Sequence, residues 1–173
     1  MTEHQPLIGI SIPVPEPYGS RLQDERAGFG DAMARTVPSH VTLIPPMHHE
    51  DDVEGVARSL ERTSATMSPF GMRLRGTGTF RPVSPVVFVA ISEGISQTEL
   101  LAMDIRRTLN VPEPEFPFHP HVTVAHHLDD ARLDRAYEAL SDFDCSFLVE
   151  SFALYLHHEV EGWVPERKFL LGR

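Results

Sequence analysis

His-Val-Thr followed by an aliphatic residue occurs twice in this chain, at residues 40–43 in "VPSHVTLIPP" and at residues 121–124 in "HPHVTVAHH". Both copies alternate polar and apolar residues, as a strand with one buried face does. Side chains at i and i+2 of a strand share a face. His40 with Thr42, and His121 with Thr123, therefore form two imidazole–hydroxyl pairs, each roughly 6–7 Å apart along its chain. Val41 with Leu43, and Val122 with Val124, face the other way and can bury against helices while the polar pairs face a cleft.

The surroundings of the motifs repeat too. Leu7 to Pro13 reads as a strand ending at a group of prolines. Leu22, Phe29, Ala32 and Met33 then recur at helical spacing over residues 18–36. A strand over 39–44, ending at Pro45 and Pro46, carries the first motif. "EDDVEGVARSLERT" opens a helix with acidic residues suited to its positive end, and "FGMRLRGTGTF" alternates as a strand. The second half runs in the same order: "PVVFVAIS" as strand, 97–109 as helix, "HPHVTVA" as strand, 129–140 as helix and "CSFLVESFALYLHH" as one strand, with "GWVPERKFLLG" closing. The expectation is an α+β chain of duplicated β-α-β-α-β units, a single domain over 1–173 with pseudo-repeat halves of about 1–82 and 83–173.

A length of 173 residues with 41% hydrophobic content suffices for one buried core. The lone Cys145 rules out an intrachain disulfide framework. With no charged-then-apolar leader and no apolar run of ~18 residues, the expected location is the cytoplasm. A net charge of -10 argues against a broad grip on a nucleic-acid backbone but leaves room for a small anion held by local donors.

Two imidazole–hydroxyl pairs facing each other suit phosphodiester cleavage. One neutral imidazole takes a proton from the attacking oxygen, one imidazolium returns a proton to the leaving oxygen, and the hydroxyls hold the nonbridging oxygens. "SHVTLIPP" and "HPHVTVAHH" resemble the two His-x-Thr signatures of the 2H phosphoesterase superfamily, the two-histidine group that includes the 2′-5′ RNA ligase-like proteins and cyclic phosphodiesterases. The resemblance spans nearly the whole chain. It implies a bilobal fold of largely antiparallel sheets around a central cleft, His40 and His121 as the acid–base pair, and Thr42 and Thr123 as phosphate-binding hydroxyls. Many members of that group place a basic residue after the second motif, where this chain has His126 and His127. The departure bears on substrate preference and leaves the acid–base pair intact.

His119 shares a strand face with His121, and Arg73 and Arg75 share one face of their strand; all three are possible substrate contacts, with a solvated face as the plain reading of the arginines. Tyr18, Phe118 and Trp163 could each stack on a base or simply pack. The many histidines raise a metal site as an alternative, although no Cys or helical His-Glu pattern accompanies them. The expected function is metal-independent hydrolysis of a 2′,3′-cyclic phosphate or related phosphodiester at a nucleotide or RNA end, needing no cofactor, membrane or stable protein partner. The alternative is a noncatalytic nucleotide- or RNA-end-binding module on the same cleft.

Overall fold

The computed structural model describes residues 5–173; residues 1–4, which the single-domain expectation includes, lie outside them. The elements follow in the order β1 (Leu7–Pro13), α1 (Tyr18–Gly28), β2 (His40–His48), α2 (Val53–Thr66), β3 (Phe70–Thr79), β4 (Val86–Glu93), α3 (Ile95–Leu109), β5 (His121–His126), α4 (Asp130–Ala139), β6 (Asp144–Val149), β7 (Ser151–His158) and β8 (Gly162–Leu170). The architecture is α+β, and every strand pairing is antiparallel. Local chemistry explains several boundaries. The Asp52 carboxylate accepts a bond from the Gly55 N–H at 2.7 Å and caps α2, while Asp129 accepts from the Arg132 N–H at 2.9 Å and caps α4.

Eight strands form two four-stranded sheets, ordered β2-β1-β7-β8 and β5-β4-β3-β6. Each sheet holds one antiparallel pair joined through a helix, β1 with β2 or β4 with β5, and completes itself with strands from elsewhere. Strand β3 leaves the first half to join β4, and β7 returns from the second half to join β1. The helices cross over as well. Helix α1 leads from β1 to β2 yet packs against β5, and α3 leads from β4 to β5 yet packs against β2. The two motif strands are edge strands of different sheets and lie against each other.

Three elements depart from the sequence expectation. The helix expected over 18–36 stops at Gly28; Gly30 takes φ +91, and only a short 3-10 helix, Ala32–Arg35, follows. That positive φ is cheap for glycine and ends regular helix. Strand β2 runs past Pro45 and Pro46 to His48, because an edge strand has an unpaired side on which a missing N–H costs nothing; its register against β1 shifts at this point. The single strand expected over 145–158 is divided at Glu150, so that β6 pairs with β3 and β7 with β1. A change of sheet cannot be read from apolar alternation that continues on both sides of it.

One apolar cluster runs beneath both sheets, with Ile10, Val41 and Phe152 from the first and Leu74, Val89 and Val122 from the second. Gly94, at the start of α3, has φ +95, and a Cβ there would stand 2.6 Å from the Gly71 carbonyl oxygen. Gly94→Ala is expected to lower stability by about 1–3 kcal/mol in urea denaturation, from backbone strain and the required retreat of β3.

Candidate active site

Strands β2 and β5 bring the motifs together from opposite sheets. Val41, Leu43, Val122 and Val124 are fully buried, while His40, Thr42, His121 and Thr123 are half-buried on the opposite faces. A cleft of about 510 Å³ is walled by His40 and Thr42 from β2, Thr123 from β5, and Arg26, His126 and Trp163 around them. His121 is not among its lining residues; its ring centroid lies 4.9 Å from that of Phe80 and 5.2 Å from that of Phe88. A second cavity of about 500 Å³, lined by Phe147, Leu148, Lys168 and Arg173 among others, contains neither motif. The chemistry of the first makes it the candidate site.

Both motif histidines are held in the same way. Nδ1 of His40 lies 2.7 Å from the Pro38 carbonyl oxygen, and Nδ1 of His121 lies 2.7 Å from the His119 carbonyl oxygen. A carbonyl only accepts, so Nδ1 carries the proton and the neutral ring keeps its lone pair on Nε2. Burial pushes the His40 imidazole below its ordinary pKa; the bond to Pro38 opposes this, and the Arg26 charge adds to it. Burial likewise pushes His121 down against its bond to His119, and the neighbouring His119 and His40 charges lower it further. Both shifts favour the neutral rings. Protonating one makes the other harder to protonate, which suits a pair of which one member is base and the other acid.

The sequence reading overlooked three residues at the site. Arg26 and Asp31 form a buried ion pair, Nε to Oδ2 at 2.8 Å, and Arg26 lines the cleft. A signal was present: Leu22, Arg26 and Phe29 occupy positions i, i+4 and i+7, so a charge falls on the buried stripe of α1. Tyr155 also lines the cleft unannounced.

The remaining candidates separate. His119 is exposed, its ring 5.4 Å from Phe80 and 6.3 Å from His121, and its carbonyl is what orients His121. Arg73 lies on β3 in the second sheet, gripped by Asp144 at 2.9 and 2.7 Å with Glu93 at 3.6 Å; neither it nor Arg75 is among the cleft's lining residues. Of the three aromatics, Trp163 lines the cleft, Tyr18 packs on the core and Phe118 lies under the Arg106 guanidinium. His49 is buried between the Leu109 carbonyl and the Asp51 N–H, and His48 bonds the Gln5 carbonyl. His126 and His127 stack with ring centroids 3.6 Å apart. Among the described residues, no group of three or more His, Cys, Asp or Glu is placed to hold a metal ion. No helix there is long and apolar enough to cross a membrane.

Comparison with known proteins bears on the same arrangement. A family model described as the 2′-5′ RNA ligase superfamily matches residues 13–161. A provisionally named phosphoesterase of Bacillus cytotoxicus is 28% identical over 160 residues, covering 88% of this chain and 91% of that one. Another, from Bacillus licheniformis, is 29% identical over 141 residues, covering 79% and 82%. Among solved structures, TT0787 of Thermus thermophilus superposes with a TM-score of 0.68 at 23% identity over 96% of this chain and 98% of that one. E. coli LigT in complex with NADP+ gives 0.66 at 20% identity over 97% and 99%.

Proposed function

The chain belongs to the 2′-5′ RNA ligase superfamily, and from that premise we propose that it is a metal-independent phosphoesterase hydrolysing a 2′,3′-cyclic phosphate, or a related phosphodiester, at a nucleotide or RNA end. The observation that carries this reading is the chemistry of the cleft. Imidazole, hydroxyl and guanidinium groups line it, and among the described residues no Asp or Glu does, in a chain with 25 acidic residues. Such a lining attracts an anion that the rest of the surface repels.

In the proposed mechanism a neutral Nε2 of one motif histidine takes a proton from water as its oxygen attacks phosphorus. The phosphorus–oxygen ester bond breaks, and the other histidine, protonated, delivers its proton to the leaving oxygen. Thr42 and Thr123 donate to the nonbridging oxygens, where charge accumulates. The scheme is symmetrical in the two histidines, and the direction of attack assigns their roles. A nucleotide-sized occupant is supported by the fold relative E. coli LigT, whose structures include complexes with 3′-AMP and ATP. Trp163 offers a base a stacking surface at the cleft wall.

The test is hydrolysis of the four 2′,3′-cyclic nucleotides with a chelator present. Turnover to a phosphomonoester supports the reading. Activity abolished by the chelator removes metal independence, and a native protein that binds these nucleotides without cleaving them is a binding module instead.

A pH profile is a sharper check. The free enzyme's values govern kcat/KM, and burial lowers both imidazoles. The product of neutral base and charged acid then peaks between two depressed values, so kcat/KM is expected to be bell-shaped with its maximum on the acid side of ~6.5, the ordinary histidine value. A bound phosphodiester anion favours the imidazolium and moves the kcat maximum upward. A kcat/KM maximum in the alkaline range would count against the two histidines as acid and base.

A further inference from the structure

We propose that Arg26 is a clamp for the substrate's phosphate, held ready by Asp31, so that the guanidinium receiving the anionic oxygens comes from helix α1 and not from either motif strand. The proposal rests on the reading of this cleft as a phosphodiester site. Arg26 and Asp31 are both buried, 7% and 4% exposed. The Asp31 carboxylate accepts from Arg26 Nε at 2.8 Å, from the Met33 N–H at 3.0 Å and from the His126 N–H at 2.9 Å. His126 ends β5, the second motif strand, so one carboxylate ties the turn after α1 to that strand and fixes the edge of the guanidinium.

The pairing uses Nε, leaving the two terminal nitrogens for other work. No buried side-chain nitrogen or oxygen among the described residues lacks a partner, and Arg26 lines the cleft with His40, Thr42 and Thr123. In the proposed clamp the terminal nitrogens turn toward the space a phosphate would fill. A guanidinium presents two parallel N–H donors to two phosphate oxygens, a match that an ammonium lacks. Burial chiefly lowers His40 and His126, on β2 and β5, and the Arg26 charge adds to the lowering of both. Stability does not account for this arrangement well, since a buried ion pair is often no better than an apolar pair of the same volume. Asp31 touches no substrate in this scheme and is a positioning residue.

The experiment uses inorganic phosphate as probe, its affinity measured by calorimetry on the native protein and on Arg26→Lys, with cyclic-nucleotide kinetics alongside. Arg26→Lys keeps a cation beside Asp31 but loses the fork. Phosphate affinity and kcat/KM are each expected to fall by about 10- to 100-fold, the worth of a charge-assisted hydrogen bond. Where Arg26→Lys does not fold, the double variant R26Q/D31N leaves no buried charge unpaired, and its one amide oxygen still accepts from either the Met33 or the His126 N–H, which use different carboxylate oxygens in the native protein; the same loss is expected. Asp31→Glu tests positioning: a retained charge at the wrong depth should weaken phosphate binding while the protein stays folded.

A native protein that binds no phosphate, or a folded Arg26→Lys variant that binds it as tightly as the native protein, overturns the clamp. Phosphate binding lost in Arg26→Lys by a protein that cleaves no cyclic nucleotide supports the clamp and removes the proposed hydrolysis. The two failures are thus separable.

Discussion

Replacing His40 or His121 with alanine is expected to lower kcat for a cyclic nucleotide by about 10²–10⁴-fold, the usual contribution of a positioned acid or base. Neither change should unfold the protein. Each half-buried ring contributes one bond to a backbone carbonyl, worth about 1 kcal/mol net. The double variant should be little worse than either single one, because base and acid act in the same step. His40→Asn and His121→Asn are the informative controls. An asparagine amide can still donate to the Pro38 or His119 carbonyl, but it has no Nε2 to carry a proton. Steady-state kinetics on folded variants decide the matter. Asparagine variants as active as the native protein would show that the histidines only shape the strand ends, and the acid–base assignment would fall.

The largest effect on stability is expected at Asp31. Asp31→Ala should cost about 3–5 kcal/mol in urea denaturation, because it strands a buried guanidinium and leaves two main-chain N–H groups without their acceptor. Asp144 provides the contrast. Its bond to Arg73 is as short, 2.7 Å, but the two side chains are 41% and 32% exposed, and water screens them. Asp144→Ala is expected to cost far less than Asp31→Ala. Equal losses at the two positions would mean that Asp31 is reached by solvent, and the clamp built on it would lose its rigid base.

Much of the secondary structure was legible because its signals are local. Alternation revealed β1 and β3, the stretch "PVVFVAIS" read as the strand β4, the acidic residues around Asp52 revealed the start of α2, and the repeated order β-α-β-α-β is present in both halves. The motif residues were legible for the same reason: period two places Thr42 beside His40 whatever lies next to the strand. The assignment of neighbours was not. Pro45 and Pro46 forbid a central strand but permit an edge, and only the sheet order says that β2 is an edge. Glu150 separates two apolar stretches whose strands belong to different sheets.

The site divides along the same line. That His40 shares a face with Thr42, and His121 with Thr123, could be read from their spacing alone, whereas the candidacy of Arg73 and Arg75 depended on where β3 lies. That strand sits in the second sheet, with Arg73 facing Asp144. Arg26 was hidden for a converse reason. A charge on a buried helical stripe reads as an imperfection until its partner is known, and the backbone N–H that shares this partner lies 95 residues from Asp31.

The chain's order of residues thus determined by itself which side chains share a face and where helices begin, since a pleat and a helix cap involve only near neighbours. Only the tertiary structure decided that β2 and β5 lie edge to edge, that α1 crosses to the second motif strand, and that Arg26 enters the cleft between them. Those outcomes depend on which apolar faces bury each other best across the whole chain, a long-range competition that no local spacing records.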